Sequence, residues 1–237
     1  MEIKSYKKNF EHSYTFGMFP TVELITSRPN DVVKVLVSSS YRSDNSMDIF
    51  ELCKKYNIKT EINDKAINKI SDKENCFVVG VFNKYECSLD QDQSHIVLVN
   101  PSNMGNMGTI IRTLVGFGLS NLAIISPGVD IFDPKVIRAS MGALFKLNFK
   151  YYENFGDYQK SFNDHKVYTF MLDGAVSLKE IKHDEERCFS LVFGNEATGL
   201  DSSFSKAGTS VFIKHTDRID SLNLTIAAGI AMYHFLS

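Results

Sequence analysis

Apolar and polar positions are patterned in two different ways along this chain, and the change falls near residue 85. Before it, Val32-Val-Lys-Val-Leu-Val37 is a β-branched run suited to a buried strand. Met47–Tyr56 places Ile49, Phe50, Leu52 and Cys53 at helical spacing. Asn63–Ile70 predicts a second short helix, and Cys76–Phe82 another strand. Residues 10–83 therefore read as a compact α/β unit. Between Asn83 and Ser94 the chain turns polar and acidic, with Glu86, Asp90, Gln91, Asp92 and Gln93. That composition marks a linker over 86–93 and ends a first domain at residue 85, since boundaries fall where few contacts cross.

From His95 the pattern becomes repeated strand-then-helix units. Strands are predicted over His95–Val99, Leu122–Ile125, Val167–Leu172, Cys188–Phe193 and Ser210–Ile213, with helices over Thr109–Phe117 and Leu222–Leu236. The alternation predicts an α/β domain over 94–237 with a mainly parallel sheet covered on both faces. Sheets of this kind bind ligands beyond the carboxyl ends of their strands. Three polar segments follow strands here: Asn106-Met-Gly-Thr-Ile-Ile-Arg112, Phe193-Gly-Asn-Glu-Ala-Thr-Gly-Leu200, and Ser221-Leu-Asn223 at the head of the last apolar run.

Composition narrows the class. A chain of 237 residues with 43% apolar and 23% charged residues is ordinary for a globular protein with a substantial core. The stretch Leu222–Leu236 is broken by Asn223, Thr225, Gly229 and His234, too short and polar to cross a bilayer. The first ten residues lack the apolar core of a signal peptide, so a cytoplasmic location is expected. Cys53, Cys76, Cys87 and Cys188 show no metal-ligand spacing and the six histidines form no paired motif, so reduced thiols and no metal are expected. The net charge of −2 argues against an extended basic surface while leaving room for a local patch. Residues 1–85 carry 13 basic against 11 acidic side chains and residues 86–237 carry 13 against 17, which faintly favours the first part as the side that meets phosphate.

Each motif has a plain and a functional reading. Gly105 and Gly108 permit a tight turn into a helix whose free amides suit an anion. Their G-x-x-G spacing does not meet the G-x-G-x-x-G dinucleotide fingerprint, which disfavours a nucleotide-dependent oxidoreductase. Arg112 either packs its stem and pairs with an acid, or offers its planar fork of donors to phosphate. Glu196, directly after a buried strand, is costly unless paired or reaching solvent, so it caps a turn or serves a ligand. Ser221 is a plausible helix N-cap. Asn223 inside an apolar helix is poor local design unless its amide serves a loop or ligand. In Asp130–Phe145, Pro134 fits a helix start, and Ala139, Ser140, Gly142 and Ala143 allow close approach of backbones.

In their order and spacing the three motifs resemble those of the SpoU/TrmH family of RNA 2′-O-methyltransferases, within the knotted SPOUT superfamily. The resemblance covers residues 94–237 and, more loosely, the N-terminal third. It implies a trefoil knot near the C-terminus, S-adenosylmethionine as cofactor, and transfer of its methyl group to a ribose 2′-hydroxyl of structured RNA. Residue by residue, it gives Asn106, Arg112, Glu196, Ser221 and Asn223 to catalysis, and Gly194, Ile213, Leu222 and Asn223 to the cofactor. The Arg-Ala-Ser-x-Gly stretch also recurs in the family beside the active site, which makes Arg138 and Ser140 candidates for RNA contact. Family proposals use the motif-one Arg as base, yet a free guanidinium stays protonated at neutral pH. Arg112 is therefore read as orienter and stabiliser of alkoxide charge, with the proton leaving through Ser221, a phosphate or water.

Residues 10–83 resemble the ribosomal-protein-like RNA-binding domain often fused to these enzymes. Phe16–Ile25 departs there from the usual short glycine-led turn and helix start. Arg28 and Arg42, with Lys4, Lys7 and Lys8, are candidate phosphate contacts, although a solvated charged surface explains them equally well. Ribosomal RNA is favoured over transfer RNA, because such a domain suits a large substrate recognised by shape. Family members pair through the knotted region, and the apolar residues Ile226, Ile230, Tyr233 and Phe235 suit a homodimer with shared sites. A noncatalytic RNA-binding member of the same fold is the alternative.

Overall fold

The computed structural model describes residues 3–43, 48–71, 75–182 and 187–236. In chain order the strands are β1 (His12–Phe16), β2 (Val32–Val37), β3 (Thr60–Ile62), β4 (Val78–Asn83), β5 (His95–Val99), β6 (Asn121–Ile125), β7 (Asn148–Tyr152), β8 (Lys166–Phe170), β9 (Val176–Ser177), β10 (Phe189–Phe193) and β11 (Thr209–Phe212). The α-helices are α1 (Met18–Ser27), α2 (Ile49–Lys55), α3 (Asp64–Ile70), α4 (Met104–Gly116), α5 (Pro134–Ala139), α6 (Phe155–Ser161) and α7 (Leu224–Leu236). Met47, at the start of the helix expected over 47–56, lies outside the described residues. Two compact units divide the chain: Met1–Tyr85 with Asp130–Lys146, and Glu86–Val129 with Leu147–Ser237.

In the first unit the described strands form a sheet in the order β1-β4-β2-β3, antiparallel except for β2 and β3. Helices α2 and α3 start where a polar side chain replaces a missing backbone partner. Asp48 accepts the Phe50 amide at 2.7 Å to open α2, and Asn63 accepts the Ala66 amide at 2.9 Å to open α3. The segment 130–146 belongs to this unit and not to the contiguous 94–237 domain expected from sequence. Its apolar side chains explain why. Phe132, Val136, Ile137, Leu144 and Phe145 are all buried, and the Phe145 ring meets Phe82 of β4 edge-on at 5.2 Å. Ser13 of β1 donates to the Phe132 carbonyl at 2.6 Å, and Lys146 pairs with Glu23 of α1 at 2.6 Å. Gly142, at φ +84°, lies so close to α1 that a Cβ there would sit 2.7 Å from the Glu23 Cβ.

The second unit holds a seven-stranded sheet among the described residues, in the order β7-β6-β5-β10-β8-β11-β9, with every pairing parallel. The mainly parallel sheet expected from strand–helix alternation is therefore present. All five residues of β5, β6 and β10 are buried, the polar His95, Asn121 and Ser190 among them, as strands covered on both faces require. Fully burying a Leu, Val or Phe side chain contributes roughly 1.5–3 kcal/mol, so these strands anchor the unit. β7 and α6 lie in a stretch to which the sequence pattern assigned no element.

At the amino ends of the strands lies a buried polar chain. The His95 and His165 Nε2 atoms face the carbonyls of Asp90 and Gln91 at 2.9 and 3.2 Å, so each carries a proton there in the neutral ring. The His95 Nδ1 is 3.0 Å from the Tyr158 hydroxyl, which is 2.6 Å from the Ser190 hydroxyl. Burial is the main cause that lowers the His95 pKa from 6.5 to about 4, against the opposing bond to the Asp90 carbonyl. Among the described residues no helix is long and apolar enough to cross a membrane, and no three His, Cys, Asp or Glu side chains gather as a metal site.

Candidate functional site

Helix α4 starts five residues before the expected helix. Asn103 caps it, accepting the Asn106 amide at 3.0 Å, so Gly105 and Gly108 lie inside the first turns of the helix and not in a loop. A Cβ on Gly105 would meet only the cap oxygen, at 3.2 Å, which is why the helix can run through it. Arg112 follows on an exposed position of α4, and its guanidinium makes no hydrogen bond or ion pair among the described residues. Of its two sequence readings, the pairing with an acid is not seen among the described residues.

The loops that leave β8, β10 and β11, together with residues 221–227, enclose a cavity of about 640 Å³. Its apolar wall includes Phe170 and Phe193, whose rings stack at 4.6 Å, with Ile213 and Leu222. Its polar rim includes Asp173, Glu196, Lys214, His215 and Asp217. A larger hollow of about 880 Å³ lies at the amino ends of β8, β10 and β11, around His165, Lys166, Arg187 and Cys188. It contains no residue of the three motifs, and parallel sheets bind at their carboxyl ends, so the smaller cavity is the candidate site.

Gly194 lines this cavity, yet the reason for a glycine is internal. A Cβ there would lie 2.1 Å from the Gly199 carbonyl carbon and 2.4 Å from the Leu200 nitrogen. The loop folds onto itself at that point, closed by the Gly199 amide donating to the Asn195 carbonyl at 2.9 Å. The Glu196 side chain is half-buried and turned toward the first motif. One carboxylate oxygen accepts the Ser102 hydroxyl at 2.8 Å and its amide at 3.1 Å; the other accepts the Asn103 amide at 3.1 Å and the Asn106 side-chain amide at 3.3 Å. Burial is the largest single influence and would raise its pKa. The bonds from its own amide, from Ser102 and from Asn103 together outweigh burial and hold the carboxyl below its ordinary value.

The third motif is arranged differently from the expectation. Asn223, not Ser221, caps α7: its side chain accepts the Thr225 amide at 2.8 Å and the Thr225 hydroxyl at 2.7 Å, and its carbonyl accepts the Ala227 amide at 3.0 Å. Asn223 therefore stands before the helix, which resolves the apparent misfit of an amide inside an apolar run. Ser221 is exposed and, with Leu222, lines the cavity, whereas Asn106, Arg112 and Asn223 do not. The Ile213 carbonyl accepts from the His215 Nδ1 at 2.8 Å.

The four weaker candidates all belong to the first unit. The Ser140 hydroxyl is buried and donates to the Ile137 carbonyl at 2.9 Å, so it offers nothing to a ligand. Arg28 lies over the Tyr85 ring at 4.3 Å and donates to the Phe145 carbonyl at 3.4 Å, a packing role. Arg138 is exposed, as is Arg42, whose guanidinium donates to the Ser39 and Tyr41 carbonyls at 3.2 and 2.9 Å. Sequence reasoning missed Asn195 and the whole loop after β8. Asn195 donates to the Asn100 carbonyl at 2.7 Å and accepts the Ala197 amide at 2.9 Å. Its only sequence signal was its place beside Glu196, and Asp173 had none beyond following a strand.

A parallel sheet with a cavity at its carboxyl ends, lined by three strand-end loops and the entry to the last helix, is an α/β architecture in which ligands bind beyond the strand ends. The chain belongs to the SpoU rRNA Methylase family, whose model matches residues 93–233. A 23S rRNA (adenosine(1067)-2'-O)-methyltransferase of Streptomyces laurentii is 34% identical over 134 residues, which are 55% of this chain and 49% of that protein. A 23S rRNA (guanosine(2553)-2'-O)-methyltransferase of Bacillus subtilis (strain 168) is 30% identical over 133 residues, 55% of this chain and 52% of that protein. The chain thus spans about half the length of these relatives. Among solved structures, an AdoMet-bound rRNA methyltransferase from Sinorhizobium meliloti matches with a TM-score of 0.81 at 23% identity, over 94% of this chain and 86% of that one. The SpoU methyltransferase AviRb of Streptomyces viridochromogenes, in complex with AdoMet, matches with a TM-score of 0.81 at 20% identity, over 95% and 90%. These likenesses concern the fold.

Proposed function

We propose that this protein is an S-adenosylmethionine-dependent methyltransferase that modifies a ribose 2′-hydroxyl of structured RNA, with ribosomal RNA favoured over transfer RNA. The observation that carries this reading is the cavity of about 640 Å³ at motifs two and three. Its volume falls within the roughly 300–1,000 Å³ of small-molecule sites. Phe170, Phe193, Ile213 and Leu222 suit an adenosine, and the carboxylates of Asp173 and Asp217 suit a cationic ligand. When bound, S-adenosylmethionine supplies a methyl group on a positively charged sulfur. Arg112 would hold phosphate and stabilise negative charge developing on the ribose oxygen, a task for which its unpaired fork of donors is fitted. The proton would leave through Ser221, a phosphate or water. The names of the two rRNA-modifying relatives support the choice of substrate class.

Finer features belong to the same reading. The first unit would be the RNA reader and ribosomal-protein-like, with exposed Arg42 and Arg138 as phosphate contacts, and the protein would work in the cytoplasm. A trefoil knot is supported by α7, which packs on α4 and β10 after the chain has left β11 at the far side of β8. A homodimer is supported by the exposed stripe of Ile226, Ile230 and Tyr233 on α7. Phe235 is not part of that stripe, since it is buried against Tyr168 and Phe189. Replacing Tyr233 by Glu should convert a dimer to monomers in sedimentation; a wild-type monomer at micromolar concentration would reject the pairing.

Calorimetry with S-adenosylmethionine and mapping of 2′-O-methyl sites in total RNA, with and without the gene, test the activity. A folded protein that binds RNA and takes up no cofactor would support the noncatalytic alternative instead. An unchanged methylation map would reject a nonredundant role in the RNAs surveyed.

A further inference from the structure

Two neighbouring side chains join the wall of the cavity to the segment between β5 and the first turn of the helix that carries Arg112. The wall segment 194–200 is a small body of its own, because its backbone closes on itself at Gly194 and Gly199. From this body Asn195 reaches the Asn100 carbonyl at 2.7 Å, directly after β5. Glu196 takes the Ser102 and Asn103 amides, the Ser102 hydroxyl and the Asn106 side chain, at 2.8 to 3.3 Å. Asn103 is the cap of α4, so the carboxylate also stands at the positive end of that helix. No residue from Asn100 to Arg112 lines the cavity.

We infer that Asn195 and Glu196 are positioning residues, which transmit the occupancy of the cavity to α4 and so set where Arg112 is presented to the substrate. The inference rests on the methyltransferase reading above and gives Glu196 a role other than proton acceptor. All the donors around the carboxylate favour its charged form, and both oxygens are already engaged. A ligand that tightens the 194–200 wall must tighten the start of α4 with it, because a charge-assisted bond to a half-buried carboxylate is costly to break. Arg112 lies nine residues beyond the cap, about 13 Å along the axis, so a small tilt at the cap moves the guanidinium appreciably.

Hydrogen exchange on the full chain, with S-adenosylmethionine added, reads this coupling directly. Wild type should show slowed exchange in 194–200 and also in the amides of Ser102, Asn103 and the first turn of α4. In Glu196→Gln the second effect should be lost, because an amide nitrogen then faces donors. Its kcat should fall about tenfold, with a change of less than about threefold in cofactor affinity. Ser102→Ala removes only one of the bonds and lies outside the cavity, so it should lower kcat by a smaller factor. The shape of the rate–pH profile should be the same in wild type and Glu196→Gln. Cofactor binding with protection confined to 194–200 would overturn the coupling and leave the methyltransferase reading intact. Loss of the acidic limb of the profile in Glu196→Gln would overturn it in favour of a base. A wild type that takes up no cofactor would overturn both.

Discussion

The carboxylate of Glu196 accepts the backbone amide of Asn103 at 3.1 Å, so a residue that follows one central strand holds the cap of the helix that follows its neighbour. β5 and β10 pair in parallel, which places their carboxyl ends side by side and makes this bond possible across 93 positions of sequence. Chemistry that is scattered along the chain becomes a single assembly through that pairing.

Gly194→Ala should destabilise the protein as well as weaken cofactor binding. The added methyl would collide with the backbone of Gly199 and Leu200, which cannot rotate away as a side chain can. Overpacking of this kind costs roughly 1–3 kcal/mol or more. Thermal unfolding and calorimetry on the same sample should both show the loss. An unchanged melting temperature would mean that the loop is not closed in this way.

Arg112→Lys should leave cofactor affinity unchanged and reduce methylation roughly 10- to 100-fold, since the positive charge persists while the planar fork is lost. Arg112 is exposed and lies outside the cavity lining, so neither folding nor cofactor uptake is expected to depend on it. Single-turnover kinetics with separate cofactor titration would check this. A near-normal rate for the lysine variant would remove any role for the guanidinium geometry.

Stability should fall as the pH drops from about 6.5 toward 4. The His95 pKa is lowered on folding from 6.5 to about 4, so the unfolded chain binds more protons than the folded one in that interval. The contribution is fully present above 6.5 and is lost as pH falls through the window, by about 3 kcal/mol at 1.36 kcal/mol per unit. Burial also lowers the His165 pKa, which acts in the same direction. Urea midpoints measured against pH would reveal the slope, and His95→Gln should flatten part of it. A wild-type stability that is level between pH 7 and 4.5 would contradict the neutral, buried imidazole.

A fragment of residues 86–237 should aggregate. It retains Phe132, Val136, Ile137, Leu144 and Phe145 but loses the sheet and helix of the first unit that cover them. Replacing 130–146 in that fragment by a short Gly-Ser linker should restore solubility. Soluble yield and sedimentation would decide, and a monodisperse, soluble 86–237 would mean that 130–146 does not need its first-unit partners.

Sequence by itself determined which segments become the central strands and which polar residues follow them. His95–Val99 and Phe189–Phe193 are mostly apolar because they are buried on both faces, with only His95 and Ser190 polar, and such runs are visible in the sequence alone. The change of composition near residue 85 is likewise a local feature of the sequence. Tertiary structure decided what depends on distant neighbours. Asp130–Lys146 reads as part of the block that surrounds it, and only the fit of Phe132 and Phe145 against β1, β4 and α1 assigns it to the first unit. A glycine in a motif suggests room for a ligand, whereas the room at Gly194 is taken by Gly199, five residues on. Glu196 carries the same carboxylate whether it serves as a base or as a staple. What separates these roles is the set of donors that the β5–β10 pairing brings within 3.3 Å, and no local pattern of residues encodes that pairing.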